Sequence, residues 1–274
     1  MKDFSVLMSI YYKENAEHFR KALNSNIEQT IPPKEFVLIC DGPLTDALDD
    51  VIAEYCQRYP NLFHVVRLPE NKGLGNALQV GVEHCSCDLI ARSDSDDICV
   101  RDRFEKQLLF LEVHPEISVV GGAIDEFEND HTKPVRRKVL PLQHKDLLTF
   151  AKKRNPLNHM TVMFRKQDIL SAGSYKPLFY LEDYYLWLRV LGSGFRIANI
   201  SDCVVHARVG NGMQERRGDR KYISGWKTLN CYMVSKKIIT RLGAFHNMLR
   251  IRAWCCMSGK MRSFLYKHIL RKRI

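Results

Sequence analysis

The sequence predicts an α/β protein: a mostly parallel sheet flanked by helices, with a basic helical extension at its end. Three observations carry this. Between residues 4 and 92, short apolar runs alternate with stretches of helical spacing, the signature of βαβ units. Three of those runs end in polar clusters, Tyr11–Asn15, Asp41-Gly42 and Asp94–Asp97, as expected where the strand ends of a parallel sheet line one ligand-binding edge. Residues 220–274 hold 14 of the 42 Lys/Arg and no Asp or Glu, laid over a helical pattern.

The elements follow in order. Phe4–Tyr11 (FSVLMSIY) is a nearly continuous apolar run and reads as a strand buried on both faces. In Asn15–Ile27 the residues Phe19, Leu23 and Ile27 recur every fourth position, and Pro32-Pro33 stops that helix. Phe36–Cys40 is a second strand, closed by Asp41-Gly42-Pro43. Leu44–Tyr59 is helical, Leu62–Leu68 is a third strand and Gly73–Cys85 a third helix. Asp88–Arg92 is a fourth strand that runs straight into Asp94-Ser95-Asp96-Asp97. Arg101–Val113 reads as a helix and Ile117–Val120 as a strand. Further on, Thr161–Arg165 is strand-like, Glu182–Leu191 helical, and Phe195–Ile200 and Cys203–Arg208 two short strands. Beyond Arg216 the pattern is helical and basic.

Composition narrows the class. Hydrophobic residues at 45% and charged residues at 27% fit a folded globular chain. No stretch approaches the roughly 18 apolar residues of a membrane span, and the run Phe4–Tyr12 has no small-residue cleavage site behind it. The expectation is a cytoplasmic protein. The nine cysteines are odd in number, and Cys85-Ser86-Cys87 and Cys255-Cys256 lack zinc spacing, so they read as reduced structural thiols. Of the net charge of +11, setting aside the tail's 14 cations leaves 28 Lys/Arg against 31 Asp/Glu before residue 220. The whole positive excess therefore lies in the tail, which points to an acidic partner surface.

The acidic cluster carries the chemistry. Carboxylates at i, i+2 and i+3 after a buried strand can converge on one hard cation, and Mg²⁺ or Mn²⁺ bound so can bridge to phosphates. A solvated loop or the cap of the next helix would use the same residue types. Gly73-Leu74-Gly75 begins like a dinucleotide fingerprint, but Leu78 stands where the third glycine belongs and the loop follows the third strand.

Several motifs together resemble family 2 glycosyltransferases of the GT-A fold, nearest to the bacterial enzymes that build O-antigen, capsule and exopolysaccharide repeat units. The opening strand and the helix ending S-x-x-x-Q-T match Val6–Tyr12 and Ser25–Thr30. The second-strand D-G matches Asp41-Gly42-Pro43, N-x-G-x-x-x-A matches Asn71–Ala77, and A-R-x-D-x-D-D matches Ala91–Asp97, continuing into Arg103–Gln107. The motif E-D-Y-x-L-W matches Glu182–Trp187. The chain departs from the family in carrying Ile10-Tyr11-Tyr12 where Pro-Thr-Tyr is usual, and Cys40 where a first acid is common.

The resemblance implies roles. It divides the chain into a catalytic domain over 1–219, with a nucleotide-sugar half over 1–100 and an acceptor half over 101–219, and a membrane-associating tail over 220–274. Asp41 would meet the uracil edge, or serve only as a turn residue before Gly42. Ser9, Tyr11 and Glu14 would flank the nucleoside, and Lys72 and Arg92 the ribose and diphosphate. Asp94 and Asp96 would hold Mn²⁺ or Mg²⁺, with Ser95 and Asp97 beside them. Asp183 would be the general base of an inverting transfer, while Glu182-Asp183 would equally suit a helix N-terminus. Asn158 and His159 would contact the acceptor, or His159 would be structural. His206 would lie near the diphosphate or the metal, and Arg216-Arg217 would clamp the diphosphate.

The implied reaction moves a hexose, galactose or glucose, from a UDP-sugar to a sugar on undecaprenyl diphosphate, with a β-1,3 link to N-acetylglucosamine. The site would work at the cytoplasmic face of the cell membrane. Cations interleaved with Trp226, Trp254, Phe245 and Phe264 suit an interfacial helix on anionic lipid. A helix packed on the catalytic domain would show the same pattern, and no nucleic-acid motif accompanies the charge. Competing readings are a transferase acting on lipopolysaccharide core or protein, and a non-catalytic binding protein. The intact DSDD and Glu182-Asp183 speak against the latter.

Overall fold

The computed structural model describes residues 2–209, 220–259, 261 and 272–273. Arg216 and Arg217 lie outside the described residues, as does much of the end of the tail.

The first half alternates as the apolar runs require. Strand β1 (Phe4–Ile10) is followed by α1 (Ala16–Ile27), β2 (Glu35–Cys40), α2 (Asp46–Arg58), β3 (Phe63–Arg67), α3 (Leu74–His84) and β4 (Leu89–Ser93). Asn15 starts α1 because its side chain accepts from the Glu17 and His18 N–H groups at 2.9 and 3.0 Å. The strands β3, β2, β1 and β4 lie side by side and all parallel. Strand order therefore reverses at β1, and the crevice between the ends of β1 and β4 is the topological switch point, where α/β sheets bind ligands. The core fills both faces, with Val6, Met8, Phe36 and Leu38 on one side and Leu7, Val37, Ile39 and Ile90 on the other.

The sheet then turns mixed. Short β5 (Ile98–Cys99) and α4 (Arg103–Val113) lead to β6 (Ile117–Phe127), seven residues longer than the sequence predicts and buried throughout. There follow β7 (Arg136–Lys138), α5 (His144–Ala151), a 3₁₀ turn (His159–Thr161), β8 (Met163–Arg165) and α6 (Lys166–Ser171). Thr161 belongs to that turn and not to the strand. Strand β8 is antiparallel to both β4 and β6. After α7 (Glu182–Gly192), the two short strands expected at Phe195–Ile200 and Cys203–Arg208 are one strand, β9 (Arg196–Arg208). It runs parallel to β6 through three register shifts, and the one between Gly121 and Ala123 absorbs the polar Ser201-Asp202 interruption.

The tail forms α8 (Arg220–Ser235) and α9 (Arg241–Cys256), and Lys272–Arg273 pair with β7 as strand β10. Helix α8 packs Trp226, Leu229 and Met233 against Leu181, Tyr184 and Leu188 of α7 and its approach, with the Tyr184 and Trp226 rings 5.6 Å apart. Among the described residues no helix is long and apolar enough to cross a membrane. Among the described residues no cysteine is joined in a disulfide.

Candidate active site

The switch-point crevice collects the polar strand ends. Glu14, in the loop after β1, accepts from the Ser95 hydroxyl at 2.9 Å, which joins the first polar cluster to the acidic one across the β1–β4 boundary. Ser9 is half-buried at the end of β1, and Tyr11 is exposed beyond it. Burial alternates through the acidic cluster: Asp94 and Asp96 are half-exposed, whereas Ser95 and Asp97 are buried. The two accessible carboxylates are thus the i, i+2 pair.

Asp97 faces β9, where its carboxylate accepts from the Arg208 backbone N–H at 2.7 Å, and the Arg208 guanidinium donates to the Asp96 carbonyl. Arg208 carried no sequence signal, because its contact depends on β9 lying beside β5. Arg103 and Gln107 are likewise fully buried in support. Arg103 donates to the Arg92 carbonyl at 2.7 Å and the Ser93 hydroxyl at 3.0 Å, and Gln107 to the Thr161 carbonyl at 2.7 Å.

Burial, and then the Asp94 and Glu14 carboxylates, push Asp96 up to about 7, and burial with Asp96 and Asp94 raises Asp97 well above the usual range. Carboxylates crowded enough to rise despite the neighbouring Arg92 and Arg208 suit a divalent cation, and an all-oxygen donor set selects Mg²⁺ or Mn²⁺. The residues present therefore fit such an ion, with Asp94 and Asp96 the accessible donors.

Arg92 is 1% exposed and donates to Asp94. Its Nε and Nη1 are buried with no hydrogen-bond partner among the described residues. Buried unpaired guanidinium donors are costly unless an anion meets them. The same guanidinium acts electrostatically on Glu182, Tyr175 and His159. It therefore links the acidic cluster to the start of α7.

At that start, burial and then Asp183 push Glu182 up to about 7. The Asp183 carboxylate accepts from Asn155 Nδ2 at 2.5 Å and from the Tyr184 N–H at 2.7 Å. Asn155 is a residue that sequence reasoning missed: it lies 28 positions away, in a loop with no motif. The loop is held in turn by Asn199, whose amide donates to the Pro141 and Pro156 carbonyls at 2.8 and 3.2 Å. Gly75 marks a close approach, because a Cβ on it would meet the Lys176 carbonyl and Pro177 at 3.1 Å, so α3 abuts the chain leading into α7.

Other expected site residues fall differently. Asp41 is 3% exposed, and its two oxygens accept from the Lys72 and Gly73 backbone N–H groups at 2.9 and 3.0 Å. It orders the 70–73 loop, which also crowds Gly42: a Cβ there, at φ +87°, would sit 2.7 Å from the Asn71 nitrogen. The Lys72 ammonium pairs with Glu70 at the surface. Asn158 is buried and donates to the Gly122 carbonyl at 2.9 Å, which makes it a brace of β6. His159 shares a 2.9 Å hydrogen bond with the Tyr175 hydroxyl, and burial with Arg92 holds it well below its ordinary value, hence neutral. His206 groups with Asp125 and Cys203, their ligand atoms within 4.8 Å, and stands opposite Ile98 in the β5–β9 ladder. Both Asp125 oxygens accept from Arg137 at 2.7 Å, and a bidentate guanidinium on the trio's one carboxylate opposes a cation there.

Comparison with known proteins agrees with this architecture. Residues 5–173 match the model of glycosyl transferase family 2. The chain is 43% identical over 220 residues to the amylovoran biosynthesis glycosyltransferase AmsE of Erwinia amylovora, covering 80% of this chain and 81% of that one. It is 33% identical over 270 residues to the UDP-Gal:alpha-D-GlcNAc-diphosphoundecaprenol beta-1,3-galactosyltransferase of Escherichia coli, covering 98% and 97%. Among solved structures, S. aureus TarS 1-349 in complex with UDP-GlcNAc superposes with a TM-score of 0.70 at 18% identity, over 98% of this chain and 76% of that one. That likeness gives the GT-A fold.

Proposed function

The chain belongs to glycosyl transferase family 2, and on that premise we propose that it transfers a hexosyl residue, with inversion, from a UDP-sugar to a sugar carried on undecaprenyl diphosphate. Galactose to N-acetylglucosamine through a β-1,3 link is the pair we favour, supported by the named activity of the Escherichia coli relative. The observation that carries the reading is Arg92, buried between Asp94 and the Glu182-Asp183 helix start with two donors unpaired.

In this reading, the Asp183 carboxylate takes the proton from the attacking acceptor hydroxyl, whose oxygen bonds to the anomeric carbon. The bond from that carbon to the UDP oxygen breaks on the opposite face. Asn155 and the Tyr184 N–H hold the carboxylate in one orientation, so geometry is set before substrate arrives. The free donors of Arg92 bind the leaving diphosphate. A Mn²⁺ or Mg²⁺ ion held by Asp94 and Asp96 would supply further charge neutralisation there. Asp41 shapes the nucleoside floor through Lys72 and Gly73, leaving its remaining lone pairs for the uracil N–H. The basic tail brings the site to the inner, anionic face of the cell membrane.

The test is transfer from UDP-galactose and UDP-glucose to an N-acetylglucosaminyl diphosphate lipid, with and without Mn²⁺. Asp183→Asn is expected to keep UDP binding and lose ~10²–10⁴-fold in rate. Transfer within about threefold of wild type would remove Asp183 from the mechanism, since such a loss lies far below that range. Full turnover in excess chelator would remove the metal.

A further inference from the structure

We propose that the cleft between α8 and α9 seats the apolar chain of an anionic phospholipid, with the lipid phosphate held by Lys227, Arg241 and Arg252 at its rim. The proposal rests on the reading that the protein works at a membrane and names the surface that engages it. The cleft has a volume of about 670 Å³, and Phe245, Met248 and Leu249 line it together with the three cations. That size lies within the range of roughly 300–1,000 Å³ typical of ligand pockets.

Helix α9 is apolar on two sides. One side is spent: Ile251 is buried in the cluster it shares with α7 and α8, and Asn247 is buried beside it. The other carries Leu242, Phe245 and Leu249 at i, i+3 and i+7, exposed by 64%, 57% and 48%. A stripe of large apolar side chains at helical spacing, left in water beside an open cleft, marks an interaction surface.

Charge selects the occupant. Residues 220–274 contain no Asp or Glu, so two copies meeting at this face would oppose cations with no carboxylate from the same segment to pair them. An anionic headgroup complements the rim, and its chain complements the floor. Charge alone would hold a protein near a bilayer without an apolar cleft; the combination specifies an amphiphile.

Seating a lipid here also orients the catalytic machinery. Asn247 Nδ2 donates to the Lys152 carbonyl at 2.9 Å and Arg250 to the Lys153 carbonyl at 2.8 Å. Those carbonyls lie two to three residues before Asn155, which holds Asp183. Truncating the tail would therefore disturb the site itself, so point substitutions in the full chain are the suitable probe.

The experiment titrates the full chain with dihexanoyl phosphatidylglycerol below its micelle concentration, by calorimetry, beside flotation on phosphatidylglycerol vesicles. Saturable binding to the monomeric lipid is expected. Phe245→Ser should weaken it about tenfold or more, the loss of one buried aromatic contact. Arg241→Gln with Arg252→Gln should weaken it further, and all variants should retain wild-type melting and UDP affinity. Binding to anionic vesicles without binding to the monomer would overturn the seat and leave the membrane reading standing. Failure to bind either would overturn both. Equal binding of dihexanoyl phosphatidylcholine, or unchanged binding by Phe245→Ser, would also overturn the proposal. So would a sedimentation dimer abolished by Phe245→Ser with no lipid bound, which would assign the cleft to a second copy.

Discussion

Replacing Asn155 with alanine should slow transfer while leaving donor binding intact. Its amide reaches Asp183 Oδ2 at 2.5 Å, and the opposite oxygen takes the Tyr184 N–H at 2.7 Å, so the carboxylate is gripped from two directions. A hydrogen bond to a charged group contributes about 1.5–3 kcal/mol. If that energy is spent on holding Asp183 in its reactive orientation, its loss corresponds to roughly 10–150-fold in rate, at about 1.4 kcal/mol per decade. The freed carboxylate also becomes somewhat more basic, which offsets part of the loss, so a fall of about 10–50-fold in kcat is expected. Saturating kinetics measure this, with calorimetry of UDP binding and a thermal melt as controls. The decisive comparison is the double variant. In the Asp183→Asn background the proposed base is already removed, so Asn155→Ala should cost little more. A kcat within about threefold of wild type, or an equal loss in both backgrounds, would refute the assignment and leave Asn155 a structural residue.

Two further outcomes follow from the acidic cluster and its neighbours. Asp96 is raised in the folded state, mainly by burial, from the ordinary carboxylate range to about 7, so its protonation stabilises the fold below about pH 4 and that stability is lost as pH rises to about 7. Metal-free Asp96→Asn should therefore gain in Tm relative to metal-free wild type as pH rises from 5 to 8, a comparison in which the buried histidines cancel, and Mn²⁺ should raise wild-type Tm more at pH 8; a Tm gain from Mn²⁺ that does not grow with pH would contradict the site. Asp41→Ala should free the Lys72 and Gly73 N–H groups and weaken UDP binding by about 1–3 kcal/mol. Wild-type protein should bind UDP above GDP and ADP by calorimetry, and equal affinities would limit Asp41 to ordering its loop.

Local pattern carried much of this protein. The strands of the parallel half are short apolar runs bounded by Pro, Gly and Asp, and their period is a property of the chain itself. The acidic cluster was legible because it follows a buried strand within a few residues, and Glu182-Asp183 because it opens a helix with apolar spacing. Strand β9 was legible only in halves. Ser201-Asp202 interrupts its apolar run, and backbone pairing with β6 bridges the interruption at the cost of register shifts.

What the sequence determined by itself was the order of the βαβ units and the residue types at their ends, because both are written in neighbours a few positions apart. Tertiary structure alone decided which of those ends meet. Placing β1 between β2 and β4 brought Glu14 to Ser95, and packing α7 beside the 152–158 loop brought Asn155 to Asp183. It also settled that Asp41 spends its carboxylate on the backbone of Lys72 and Gly73, and that α9 turns one apolar side inward and the other out. The physical reason is common to all of these. A side chain's hydrogen-bond partner or covering surface comes from distant chain, and hydrophobic period records that a face is apolar without recording what lies against it.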